Sequence, residues 1–261
     1  MLKLWGMKSK VRVNIEAGGI FSKMMSAIQN IEQRKYDVEQ CYFNITDTRA
    51  LNEAKFNPLD YVLDQALEDE YEDFNCVFLP SYNSKNSYSY GRVEESEEYL
   101  KLKEIASKIR YRKDFLDVVA PYSEQITKDT IGVHIRLCDM NLLHAREYGT
   151  LAFEDFIKAI EKEISPTSKL FVASDNTESL KKLQTLFKDR ILYVDDMIRA
   201  ATEDSNSFSI QLDCFQEERF WKEAFLEMLL LSKCSKLICR TSNLANMAII
   251  SSNTIEKIIM L

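Results

Sequence analysis

At 261 residues, of which 46% are hydrophobic, the chain is long enough to form one large domain or two small ones. Its formal net charge is −7 and it has no basic stripe or tail, so nucleic acid and anionic membrane are not expected as bulk partners. The six cysteines form no Cys-x-x-Cys pair and there are two histidines, a composition that argues against structural zinc and fits a reduced, cytoplasmic setting. We also expect no transmembrane segment, because no apolar run reaches about 18 residues.

The first half of the chain opens with the pattern of a strand, a glycine turn and a helix. Residues 11–15 alternate as a strand, Gly18 and Gly19 form the turn, and 20–34 carry the apolar stripe of a helix. Adjacent glycines let the backbone approach a ligand closely and a helix N-terminus favours anions, although the pair also fits a plain tight turn. The further predicted elements are strands at 38–45 and 76–79 and helices at 57–70 and 94–120, the last broken by Pro121.

The second half alternates strands and helices regularly. This alternation predicts an α/β fold in which helices cover both faces of a parallel sheet. The predicted strands are 131–135, 169–173, 191–194 and 237–239, and the predicted helices are 153–164, 177–187, 219–232 and 244–250.

Three of these predicted strands end in polar clusters. The clusters are His134, Arg136 and Asp139; Ser174, Asp175 and Asn176; and Thr241, Ser242 and Asn243. The carboxyl ends of parallel strands meet at one edge of the sheet, where open α/β sheets bind their ligands. The planar guanidinium of Arg136 would suit a phosphate there, and the alternative is that Arg136 and Asp139 simply pair with each other.

In chain order the motifs are Gly-Gly, His-x-Arg-x-x-Asp, Ala-Ser-Asp, and Leu-Leu-Leu-Ser-Lys-Cys followed by Thr-Ser-Asn. This order resembles the inverting fucosyltransferases of the GT-B fold, which include the α-1,2-, α-1,6- and protein O-fucosyltransferases and the nodulation fucosyltransferase. The resemblance covers roughly residues 128–252. It implies two Rossmann-like domains with parallel sheets facing a cleft, an acceptor-side domain at 1–127 and a nucleotide-sugar domain at 128–261.

The resemblance also implies an activity, which is metal-independent transfer of fucose from GDP-fucose to a glycan acceptor with inversion. Arg136 would neutralise the charge that grows on the departing diphosphate. Glu227 would accept hydrogen bonds from guanine N1–H and N2–H. The residues that the resemblance assigns to donor binding are Gly18, Gly19, His134, Arg136, Asp139, Asp175, Glu227, Thr241, Ser242 and Asn243.

The chain departs from this family at the position after Arg136. Several relatives carry a second arginine there, whereas this chain has Leu137. Arg12, Lys23 or Arg240 would then have to replace the missing charge. This departure favours the alternative of a non-catalytic nucleotide- or sugar-binding protein, while an enzyme that uses another nucleotide sugar is a further alternative.

A base must remove the proton of the acceptor hydroxyl during transfer. Glu147 and His144 lie in the loop after Asp139, where some relatives carry a glutamate, and Glu147 is the favoured candidate.

The chain has no Asp-x-Asp sequence in a loop after a strand, the usual carrier of Mg²⁺ or Mn²⁺ on a sugar diphosphate, so no metal is expected.

Overall fold

The structure, a computed structural model, contains two parallel sheets with helices packed against them. It describes residues 11–15, 20–45, 57–65, 72–75, 97–138, 149–203 and 218–261. Within these ranges the chain has the α/β architecture that the sequence predicts.

The first sheet has three short strands, and one helix connects the first two: β1 (Val11–Ile15), α1 (Ile20–Arg34), β2 (Cys41–Ile45) and β3 (Glu72–Asn75). All three strands are parallel, and their order is β2-β1-β3. α1 buries the apolar stripe seen in the sequence, because Met24, Ile28 and Ile31 are fully buried. The predicted strand-turn-helix opening is therefore confirmed for its strand and its helix.

In the part of the chain that the structure describes, strands of the second sheet alternate with helices: β4 (Thr130–Ile135), α4 (Phe153–Glu163), β5 (Lys169–Ser174), α5 (Thr177–Phe187), β6 (Ile191–Leu192), α6 (Glu218–Leu231), β7 (Lys236–Cys239), α7 (Asn243–Ile250) and β8 (Lys257–Met260). Along the chain, the described helices between β3 and β4 are α2 (Glu97–Ser107) and α3 (Lys113–Ser123). The strand order is β6-β5-β4-β7-β8, and every pair is parallel.

Alternate residues of β4 point to opposite faces of this sheet, as the two-residue period of a strand requires. Ile131, Val133 and Ile135 belong to an apolar cluster with α4 and α5. Gly132 faces the other side, where a Cβ atom would lie 3.0 Å from Cδ2 of Leu231. The glycine therefore permits the close approach of the end of α6 to the centre of the sheet.

Apolar residues from both halves of the chain form a second cluster, which also contains residues of α2 and α3. The cluster includes residues of β1 and α1 together with residues of α6 and α7. The rings of Phe21 on α1 and Phe225 on α6 have centroids 5.0 Å apart. The predicted division into domains at 1–127 and 128–261 stays a prediction, and the described core does not stop at that boundary.

The prediction of a helix at 57–70 is wrong for the described residues of this range, 57–65. Pro58–Tyr61 is a single 3₁₀ turn, in which the Asn57 side chain accepts a hydrogen bond from Leu59 N. After the turn, Leu63 pairs antiparallel with Tyr111, and this tertiary pairing prevents continuation of the helix. The strand predicted at 76–79 lies outside the described residues.

Pro121 does not break the helix as predicted, because it lies in the last turn of α3. A proline there removes only the hydrogen bond to the carbonyl of Asp117, an exposed residue whose carbonyl water can reach. The sequence analysis also missed β8, whose four residues are too few to give a periodic signal.

Candidate functional site

The carboxyl ends of β4, β5 and β7 lie side by side at one edge of the second sheet. In the register of the sheet, His134 is opposite both Ala173 of β5 and Cys239 of β7. The strand order also reverses at β4, because β5 and β6 extend to one side and β7 and β8 to the other. Such a reversal opens a crevice beyond the strand ends, which is where open α/β sheets bind ligands.

A hydrogen bond between two buried side chains crosses this crevice. Nδ1 of His134 lies 3.3 Å from Oγ of Ser242. Ser242 is also the N-cap of α7, because its Oγ accepts from Ala245 N at 3.1 Å. The bond thus ties the end of β4 to the N-terminus of α7, where free backbone N–H groups and the helix dipole favour an anion.

Arg136 directly follows the carboxyl end of β4 and is partly exposed. Leu137, the next residue, is buried in the cluster beneath α4 and α5. The residue that stands in place of a second arginine therefore belongs to the core and faces away from any ligand.

Asp175 anchors the backbone that carries Arg136. Its Oδ2 accepts from Cys138 N at 3.0 Å, and its Oδ1 accepts from Asn176 Nδ2 at 2.9 Å and from Leu137 N at 3.4 Å. A carboxylate that binds backbone N–H groups in this way fixes a loop. A contact between Asp175 and a bound donor stays a prediction.

Glu227 is buried on α6 and forms an ion pair with Arg199. Oε1 of Glu227 lies 3.0 Å from Nη2 of Arg199. Burial raises the pKa of Glu227 to about 7, and the nearby Arg199 opposes that shift. The sequence analysis missed Arg199. A buried carboxylate requires a cationic partner, but nothing in the sequence indicates which one.

The three cations named as replacements for the missing arginine differ in position. Arg240 follows β7 and is almost fully buried, and its Nη2 donates to the carbonyl of Gly149 at 2.7 Å. It therefore holds the backbone just before α4. Lys23 is fully buried near the start of α1, and Arg12 is partly buried on β1.

The remaining candidates divide into two groups. Thr241 and Asn243 flank Ser242 and are partly exposed at the N-terminus of α7. The predictions that lie outside the described residues are those for Gly18, Gly19, Asp139, His144 and Glu147.

Among the described residues, no group of three or more His, Cys, Asp or Glu side chains could hold a metal ion. None of the described helices has the length and apolar character needed to span a membrane.

No protein-family model matches the chain, and no curated protein is similar to it in sequence. Its fold is similar to those of solved fucosyltransferases. NodZ α-1,6-fucosyltransferase co-crystallized with GDP gives a TM-score of 0.53 at 14% identity, covering 94% of this chain and 93% of that one. NodZ from Bradyrhizobium gives 0.51 at 14% identity, covering 93% and 92%. POFUT1 in complex with GDP-fucose gives 0.53 at 8% identity, covering 100% and 99%. The GT-B fold expected from the motifs is confirmed.

The link between β4 and α7 can be tested through stability. Ser242→Ala removes both the N-cap and the partner of His134, and we expect it to lower the free energy of unfolding by about 2 kcal/mol in urea denaturation. Ser242→Thr retains the hydroxyl and should lose clearly less. Equal stability of the two variants would contradict the role assigned to this oxygen.

Proposed function

We propose that the chain is a glycosyltransferase that transfers fucose from GDP-fucose to a glycan acceptor, with inversion and without a metal. The observation that carries this proposal is that Arg136 follows the carboxyl end of β4, while the His134–Ser242 bond ties the N-terminus of α7 to that same strand end. The similarity in fold to fucosyltransferases solved with GDP and GDP-fucose supports it.

The diphosphate of the donor is assigned to this crevice. As the bond between sugar and phosphate breaks, negative charge grows on the departing GDP and must be stabilised. Arg136 supplies a permanent positive charge in a planar fork. The first backbone N–H groups of α7 supply further donors. These two sources of positive potential can act without a metal ion.

The guanine base is assigned to Glu227. A carboxylate can accept from both N1–H and N2–H of guanine, a pair of donors that uracil lacks. Among the described residues, Arg199 engages only Oε1 of Glu227, and Oε2 takes part in no hydrogen bond. The ion pair thus leaves an acceptor for the base.

The acceptor hydroxyl needs a base, and we assign this role to Glu147, with His144 as the second candidate. Arg240 supports this assignment by fixing the carbonyl of Gly149, which is two residues after Glu147. We expect Glu147→Gln to leave GDP affinity unchanged and to reduce transfer by on the order of 10²-fold, because general-base catalysis typically contributes that much. Full activity of this variant, with loss of activity in His144→Gln, would move the role to His144.

Two other functions remain as alternatives. The first is a transferase that uses a different nucleotide sugar, since the described site concerns mainly the nucleotide and the diphosphate. A non-catalytic binding protein is favoured by one observation, the buried Leu137 at the position of a second cation.

A panel of nucleotide sugars separates these functions. Calorimetry and hydrolysis assays with GDP-fucose, GDP-mannose and UDP-glucose should show binding and turnover of GDP-fucose, unchanged by EDTA. Turnover of another donor would identify a different transferase, and binding without turnover would identify a binding protein. Activity abolished by EDTA and restored by Mn²⁺ would contradict the metal-independent mechanism.

Arg136 offers the sharpest test of the mechanism. Loss of a charged donor at a developing anion raises the barrier by about 3–4 kcal/mol, so Arg136→Ala should lower kcat by on the order of 10²–10³-fold. Arg136→Lys should recover little, because an ammonium group lacks the planar fork. A lower melting temperature with unchanged GDP affinity would instead mean that Arg136 only stabilises the loop.

A further inference from the structure

Arg199 occupies a buried position between the end of β5 and α6. Only 6% of its side chain and 10% of that of Glu227 are exposed. Besides its bond to Glu227, the guanidinium donates from Nε to the carbonyl of Ser174 at 3.1 Å and from Nη2 to that of Val194 at 3.2 Å. Because both bonds are to backbone, the direction of the guanidinium is fixed by the fold.

The backbone around Arg199 is in turn attached to the edge of the sheet that forms the candidate site. Ala200 N donates to the carbonyl of Asp175 at 2.9 Å, and Thr177 N donates to the carbonyl of Ala200 at 2.8 Å. Asp175 also anchors the residues after β4. The segment that carries Arg199 and the segment that carries Arg136 are therefore both hydrogen-bonded to Asp175.

We propose that Arg199 is a positioning residue for nucleobase recognition, which holds the Glu227 carboxylate in the direction and the charged form that guanine requires. This inference rests on the proposed function, since it assumes that Glu227 contacts the base. The bond from Arg199 fixes Oε1 and thereby the plane of the carboxylate. Oε2, which no described residue engages, is then directed by the same constraint.

The charge of Glu227 depends on a balance among its neighbours. Its pKa is raised to about 7, mainly by burial; Arg199 lowers the pKa, while Glu223 on the same helix and Asp175 after β5 contribute to raising it. A protonated carboxyl group loses one acceptor, so guanine binding should weaken as the pH falls through this range. For a group with this pKa, GDP affinity should be about tenfold lower at pH 6 than at pH 8.

Two substitutions separate the direction of the carboxylate from its charge. Arg199→Lys keeps the positive charge but loses the fork, so the carboxylate is no longer held in one plane. Arg199→Gln retains a donor for Glu227 but removes the charge, so the pKa of Glu227 should rise. Arg190→Lys is a matched control, because Arg190 also donates to backbone carbonyls, those of Ser165 and Ser168, at the opposite end of β5.

The experiment measures the affinities of GDP and IDP by calorimetry between pH 6 and 8.5, together with melting temperatures. IDP lacks the 2-amino group, so the GDP-to-IDP affinity ratio reports on contact with the carboxylate. The wild type should prefer GDP by on the order of tenfold, the value of one hydrogen bond to a charged group. Arg199→Lys should bring this ratio close to one, and Arg199→Gln should move the pH dependence of GDP binding to higher pH. Arg190→Lys should leave both unchanged.

The possible failures are distinguishable. If the wild type binds GDP and the Arg199 variants show the same ratio and pH profile with only a lower melting temperature, the pair is purely structural and this inference is wrong. If the wild type binds no guanine nucleotide at pH 8, the proposed function fails and this inference fails with it.

Discussion

The candidate site depends on one constraint, the position of β4 between β5 and β7 with all three strands parallel. Because of it, three segments that are far apart in sequence leave the sheet at the same edge. His134 and Ser242 can then bond although 108 residues separate them. Asp175 can anchor the backbone after β4 for the same reason. Without this strand order, the segment that carries Arg136 and the N-terminus of α7 would not lie at the same edge of the sheet.

Burying charge is one energetic cost of this arrangement. Removing one partner of a buried ion pair typically costs about 3–5 kcal/mol, because the remaining charge stays uncompensated. The pair between Arg199 and Glu227 is of this kind, and it lies beside the crevice rather than in the centre of the core. Arg240 is similarly buried and bonds to a backbone carbonyl. An apolar pair would avoid the cost but could not present a carboxylate to a base, which is consistent with a binding role.

Much of this fold could be predicted from the sequence, and the exceptions have physical reasons. The second half was predicted well because each of its longer elements carries a strong apolar period and a polar end. The prediction of a helix at 57–70 failed because the pairing between Leu63 and Tyr111 overrides the local sequence pattern. The polar clusters indicated the candidate site, since parallel strands bring their ends together at one edge. Arg199 could not be found, because it contacts Glu227 across 28 residues and lies in a loop with no periodic pattern.

The central claim is that the crevice between β4 and β7 binds a guanosine diphosphate. Hydrogen-deuterium exchange with and without GDP tests it most directly, because bound ligand slows exchange of the amides that it covers. The account predicts slower exchange at residues 134–138 and 241–246, with residues 257–260 unchanged. Unaltered exchange at both predicted segments, under conditions where calorimetry shows GDP bound, would contradict the account and place the nucleotide elsewhere.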